Sequence, residues 1–153
     1  MNKSSFVYVI YIRTTLEKAW DALLKPEFTR TYWFGVTQES DWRAGAAWKM
    51  VQPDGTISDT GEILEIEKPK HLVIRWRNEF RPELKAEGYS TCRFELEQAD
   101  GTVRLTIRHE IDKPAAKLIE AVSGGWPKVL SSLKSMLETG APLPDISGHG
   151  KGR

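Results

Sequence analysis

Three histidines and one cysteine are the residues of this 153-residue chain best suited to acid–base, nucleophilic or metal chemistry. Two of them, Cys92 and His109, fall in alternating runs in which each belongs to the apolar set: Cys92, Phe94 and Leu96 in one, Val103, Leu105, Ile107, His109 and Ile111 in the other. An imidazole that titrates near neutrality could act as a general base or hold a ligand carbonyl, and beside a thiol it could form a thiolate–imidazole dyad. The competing reading is a core histidine satisfied by its neighbours next to an inert thiol, and buried thiols are commonly of that kind. Register bears on the choice. Asp100-Gly101 signals the turn, and because both apolar sets must face the core, the loop holds an even number of residues unless a bulge intervenes. Two loop residues place Cys92 opposite His109; four place it opposite Ile107.

Other chemistries lack their residues. His71 starts a strand at a turn, His109 points inward and His149 lies near the C terminus, so the histidines and Cys92 share no metal-ligand spacing. Glu62, Glu65 and Glu67 lie along a strand whose alternate positions face solvent, and no pair is evidently buried as glycoside chemistry requires. Gly124-Gly125 precedes a helical run without a strand-linked phosphate fingerprint. No metal, cofactor or catalytic residue is therefore assigned. The aromatic residues are the better lead. Trp48, Trp76, Phe94 and Trp126 are placed to face one interior space, with Trp33 and Phe34 at its rim. Met50, Cys92 and Val122 add apolar wall, while Asn78 and His109 could orient a ligand. Against this stands the reading that the rings simply fill a core.

The elements that must position these groups follow from periodicity. Phe6 to Arg13 is rich in β-branched and aromatic residues and predicts a strand. Thr14 with Glu17 three residues later predicts a capping box, after which Leu16, Ala19, Trp20 and Leu23 line one helical face. A second short helix is predicted over 26–32, with Pro26 in its first turn. From Asp41 the period becomes two. Trp48 and Met50 share a face, Pro53-Asp54-Gly55 turns the chain, and Thr60 to Ile66 returns it, with a bulge expected at Ile63-Leu64 where two apolar residues adjoin. Lys68-Pro69-Lys70 is the next turn, and Leu72, Ile74 and Trp76 then share one face opposite Val73, Arg75 and Arg77.

A long helical pattern follows the last hairpin. Leu118, Val122, Trp126, Val129, Leu133 and Leu137 recur at three- and four-residue steps, so one side can cover a sheet. Gly124, Gly125 and Pro127 interrupt it, and a kink or restart is expected between Ser123 and Pro127. Gly140 is the predicted stop. The expected organisation is one domain over 1–140 and a flexible tail over 141–153, since one core of this size buries roughly 70% of the unfolded chain's surface.

With 22 basic and 21 acidic residues the net charge is +1, which argues against a nucleic-acid partner. No apolar run approaches the ~20 residues of a membrane span, and Met1 to Ser5 carries no signal-peptide core. A single cysteine forms no internal disulfide, so the cytoplasm is the expected location.

The order strand, two short helices, antiparallel strands and long terminal helix is that of the α+β helix-grip fold. Three local stretches add to it: Thr14-Thr15-Leu16-Glu17-Lys18-Ala19-Trp20-Asp21-Ala22-Leu23, then Thr60-Gly61-Glu62-Ile63-Leu64-Glu65-Ile66 with Pro69, Leu72 and Trp76, then Gly125-Trp126 with Leu130, Leu133, Leu137, Glu138 and Gly140. Over roughly residues 6 to 140 the chain resembles the START-like (SRPBCC) superfamily, in the branch named after the C-terminal domain of the activator of heat-shock-protein-90 ATPase. The resemblance implies a curved sheet gripping the terminal helix around a mostly apolar cavity for a small hydrophobic molecule. Some relatives are cyclases or hydrolases, and that is the alternative function. A chaperone-cofactor-like interaction is a further one, although the co-chaperone role belongs to two-domain relatives with an N-terminal module that these residues do not include. A homodimer stays open.

Overall fold

A computed structural model describes residues 3–147, so His149 and the end of the expected tail lie outside the described residues. The chain runs β1 (Ser4–Ile12), α1 (Leu16–Leu24), α2 (Pro26–Tyr32), β2 (Thr37–Ser40), β3 (Ala47–Val51), β4 (Ile57–Glu67), β5 (His71–Asn78), α3 (Pro82–Lys85), β6 (Ser90–Ala99), β7 (Thr102–Ile111) and α4 (Lys117–Thr139). The seven strands form one antiparallel sheet in the order β1-β7-β6-β5-β4-β3-β2. Each neighbour in that order except β1 and β7 is also a neighbour in sequence, so the long β1-to-β7 pairing is what brings the two ends of the chain together. The concave face of the sheet grips α4, giving the helix-grip architecture.

Alternation sorts the side chains. In β6, Ser90, Cys92, Phe94 and Leu96 are buried, and in β7 Val103, Leu105, Ile107, His109 and Ile111, as the shared inward face requires. The bulge in β4 falls at Leu64: Ile63 pairs with Ile74 and Glu65 with Val73, leaving Leu64 unpaired and exposed. Val73 lies on the outer face yet is only 2% exposed. Its register neighbours Glu65 and Arg93 pair at 3.8 Å, which places an ion pair's aliphatic stems on either side of it.

Two sequence expectations need correction, and two elements were not anticipated. The cap of α1 is Thr15, whose hydroxyl accepts from the Lys18 amide, so Thr14 and Glu17 form no capping box. Strand β2 was not anticipated, because Thr37-Gln38-Glu39-Ser40 has a single buried residue, Gln38, and no apolar alternation to reveal it. Helix α3 was not anticipated either; four residues are too few for a periodic signal. The break expected at Gly124 to Pro127 is absent, and α4 runs unbroken from Lys117 to Thr139, where Gly140 ends it in the left-handed conformation at φ 89°. A proline inside a helix costs about 3 kcal/mol, but burial of a large apolar side chain contributes about 1.5–3 kcal/mol. Trp126, Val129, Leu130 and Leu133 together outweigh the break. After Gly140 the chain folds back on this helix, with the Leu143 amide donating to Ser132 Oγ at 3.2 Å.

Glycines in the two main elements play opposite parts. Gly61 is paired with Trp48 on one side and Trp76 on the other, and the two indoles meet across it at 4.6 Å. A Cβ there would lie 1.6 Å from the Arg75 carbonyl oxygen, whereas a Cβ on Gly124 or Gly125 would meet nothing within 4 Å. Gly61→Ala is therefore expected to lower unfolding free energy by about 3 kcal/mol, and Gly124→Ala or Gly125→Ala to raise it by up to about 1 kcal/mol each. Urea unfolding followed by tryptophan fluorescence distinguishes the two signs.

Candidate functional site

Of the five buried indoles, Trp48 and Trp76 on the concave face and Trp126 on α4 each donate the N–H to a different buried acceptor. Trp48 Nε1 donates to Gln38 Oε1 at 3.0 Å, and Gln38 Nε2 in turn donates to the Leu23 carbonyl at 2.7 Å, tying β2 and β3 to the end of α1. Trp76 Nε1 donates to Asp59 Oδ2 at 2.7 Å. Trp126 Nε1, on α4, donates to His109 Nδ1 at 3.2 Å and so ties the helix to β7. A buried indole N–H without an acceptor would cost roughly 1–3 kcal/mol, so these acceptors are part of what allows so many rings inside.

The rings form one connected body. Trp126 meets Trp33 at 5.5 Å, Phe94 at 5.7 Å and Trp76 at 5.9 Å, while Trp76 meets Trp48 at 4.6 Å and His109 at 5.1 Å between centroids. Of the sequence candidates, Trp33, Trp48, Met50, Trp76, Cys92, Phe94 and Trp126 lie in the main core, His109 is fully buried beside Trp76 and Trp126, and Phe34 and Val122 are half-buried against the core. Phe34 follows α2 with a φ of 56°, which turns the chain toward β2. Asn78 stands apart at the end of β5. Its Oδ1 accepts the amides of Phe80 and Arg81, capping the turn into α3, and its Nδ2 lies 3.4 Å from Asp59 Oδ2.

The last hairpin has the two-residue loop. Ala99 pairs with Thr102, Asp100 and Gly101 both take positive φ, and Cys92 stands opposite His109. The electrostatics nevertheless oppose a thiolate–imidazolium pair. Burial pushes the Cys92 thiol well up and holds the His109 imidazole at about 3, so both are neutral near pH 7. Both ring nitrogens of His109 are occupied by protein. Because Nδ1 accepts from Trp126, the ring proton sits on Nε2 and donates to Ser90 Oγ at 2.9 Å, and Ser90 Oγ donates onward to the Trp76 carbonyl at 2.9 Å.

Several polar participants escaped the sequence reading. Asp59 is 6% exposed, and burial raises its carboxyl pKa against the opposing hydrogen bonds from Ser58, Trp76 and Asn78. Its neighbour Glu79 is held down at about 2 by the Arg77 hydrogen bond at 2.6 Å, with Thr60 and Lys85 also bonded to it. On α2, Thr29 and Tyr32 are fully buried, with hydroxyls that have no protein partner among the described residues. Asp59 could have been suspected from its place in an alternating strand; Gln38, in a strand without apolar pattern, could not.

Two surface hollows lie apart from these rings. An open one of about 500 Å³ is lined by Leu16, Lys70, His71, Glu95, Leu96, Glu97 and Gln98, and one of about 130 Å³ runs past Lys3, Tyr89, Ser90 and Glu110. Neither is lined by any of the aromatic candidates. His71 sits beside Glu65 and Glu67 at 3.4 and 3.7 Å. Among the described residues no three His, Cys, Asp or Glu side chains are placed to hold a metal ion, and no helix is long and apolar enough to cross a membrane.

The buried groups His109 and Asp59, which bear on the acid side, give opposite pH dependence. His109 is depressed from 6.5 to about 3, so the stability gained from its neutral form is present above pH 6.5 and is lost as pH falls toward 3, at up to about 1.4 kcal/mol per unit. Asp59 is raised above 3.8, so its contribution is present below that value and is lost as pH rises through its folded pKa. Urea unfolding between about pH 4 and 7 should show a shallower acid loss in His109→Gln than in the native chain, and a steeper one in Asp59→Asn.

Comparison with known proteins places this geometry. Solved structures of similar fold include a protein from Mesorhizobium loti at 20% identity and TM-score 0.75, covering 88% of this chain and 96% of that one. An HSP90 activator from Plasmodium falciparum matches at 23% identity and TM-score 0.70, over 87% of this chain and 95% of its own. The Aha1 dimer from Colwellia psychrerythraea matches at 17% identity and TM-score 0.70, over 90% and 98%. A search of curated proteins finds no match. The model of one family, Activator of Hsp90 ATPase homolog 1-like protein, matches residues 13–138. That span takes in every element from α1 to the last turn of α4, and the chain belongs to this family.

Proposed function

We propose that the chain binds a small hydrophobic molecule between the sheet and α4, and that Trp126 occupies this place when no ligand is bound. The observation that carries the proposal is the pairing of a ring cluster with a weakened stretch of helix. Trp126 is the one indole of the three delivered by α4, and it is flanked by Gly124, Gly125 and Pro127. Nothing approaches either glycine closely enough to demand its small size. Relative to alanine, these three residues cost a helix interior about 5 kcal/mol, so local opening is easier here than elsewhere in α4.

Withdrawal of Trp126 would uncover Trp33, Trp76 and Phe94 as walls and remove the donor from His109 Nδ1. The site would then offer large apolar surface and one imidazole acceptor. The fitting ligand is apolar with a single hydrogen-bond donor such as a hydroxyl. A cyclase-like or hydrolytic reaction has less support, because burial holds the His109 imidazole at about 3, which makes it a weak base, and keeps the Cys92 thiol protonated.

The test uses 1-naphthol, an aromatic ring system with one hydroxyl. Trp126→Ala should bind it at least about 10-fold more tightly than the native chain, because the ring no longer competes. Gly124→Ala with Gly125→Ala should weaken native-chain binding by about 10-fold, because opening the helix becomes harder. Calorimetric titration reads both. A folded Trp126→Ala that binds no 1-naphthol would defeat the proposal. A chaperone contact, the role named for the Plasmodium falciparum relative, would depend on neither substitution in this way.

A further inference from the structure

We propose that the free edge of β1 pairs with β1 of a second copy of this chain, antiparallel about a two-fold axis at Val7. Strand β1 ends the sheet, bonded to β7 on one side only. From Ser4 to Ile12 it carries nine residues without a charge or a proline, on a straight edge with no bulge recorded against β7. Edge strands of single-copy proteins are ordinarily blunted by such devices, since their unpaired amides and carbonyls template another strand. Val7, Val9 and Tyr11, exposed at 43%, 47% and 50%, extend the same edge as apolar surface.

The direction of the backbone groups can be deduced. In the two-residue hairpin Ala99 and Thr102 form the closing hydrogen-bonded pair, so Glu97 and Arg104 form the next one, and Arg104 turns its peptide groups to β6. Tyr11, opposite Arg104 on the other side, must then aim its own outward, as must Val9, Val7 and Ser5 at two-residue steps. Two contacts agree with this. The Tyr11 carbonyl accepts from Lys134 Nζ at 2.5 Å, and the Arg13 amide donates to Glu138 Oε2 at 2.7 Å.

Lys134 and Glu138, themselves paired at 2.8 Å, therefore stand where a neighbouring strand would, and they close the edge at Tyr11 and Arg13. What stays open is Ser5, Val7 and Val9. An antiparallel partner that uses all three and spares Tyr11 has one register: Val7 against Val7 and Ser5 against Val9, with six backbone hydrogen bonds across the axis. The pattern reads the same from both copies, as a two-fold interface requires. A shift by two residues toward Tyr11 would have to displace Lys134.

Light scattering after gel filtration should show a mass that approaches twice the chain mass as concentration rises. Val7→Lys should raise the dimer dissociation constant at least about 10-fold, and Val7→Thr, which keeps the β-branched shape, should not. Val7→Cys should cross-link to itself under mild oxidation, because paired residues across such a ladder have Cα atoms about 5.5 Å apart; Val9→Cys should not. Cys92 is buried and does not compete. A monomer at every concentration, a dimer indifferent to Val7→Lys, or cross-linking of Val9→Cys as fast as Val7→Cys would each overturn the proposal. The cross-linking arm still decides if the lysine variant fails to fold.

Discussion

The hydrogen bond from the Trp126 indole to His109 joins the two halves of this molecule. A sheet can hold α4 by apolar contact alone, but contact alone is indifferent to small rotations of the helix. One directional bond from a buried donor to a buried acceptor fixes which turn of α4 lies over β7 and fixes the tautomer of His109. The choice of tautomer then passes to Ser90 and the Trp76 carbonyl, so the helix, β7, β6 and β5 share one chain of hydrogen bonds. The same logic governs the other two indoles. Each has its own buried acceptor, and Gln38 and Asp59 are polar residues in the interior that serve as those acceptors.

Much of the fold was legible because it rests on periodicity. The shared inward face of Cys92 and His109 follows from two alternating runs, though the sequence left open whether the Asp100-Gly101 loop set them directly opposite, and the bulge at Leu64 follows from two adjoining apolar residues. Strand β2 was illegible for the same reason in reverse: it holds its place through Gln38, a polar residue that serves as an acceptor for Trp48. Helix α4 was read as broken because proline and glycine propensities are local, whereas the burial of Trp126 and Leu130 against a sheet assembled from distant segments is not.

The candidate site divides along the same line. Apolar members such as Trp76, Phe94 and Trp126 could be placed from the face they share. Of their polar partners His109 shared that alternation, but the bond from Trp76 to Asp59 joins positions seventeen residues apart in sequence and depends on register between strands. His109 shows the difference most clearly. As a residue type it suggested acid–base chemistry; its surroundings show a group held neutral, with each nitrogen in use.

Chemical variety among the three indole acceptors has a practical consequence. Trp48 faces a neutral amide, Trp76 a carboxyl group and Trp126 an imidazole nitrogen. Indole proton resonances respond to the acceptor they meet, so these three protons should be dispersed in a nitrogen-correlated spectrum without any added label. Each then reports on a separate seam: the first on the sheet's far edge, the second on its middle, the third on the closure of α4. The molecule carries its own three-channel record of where it loosens first.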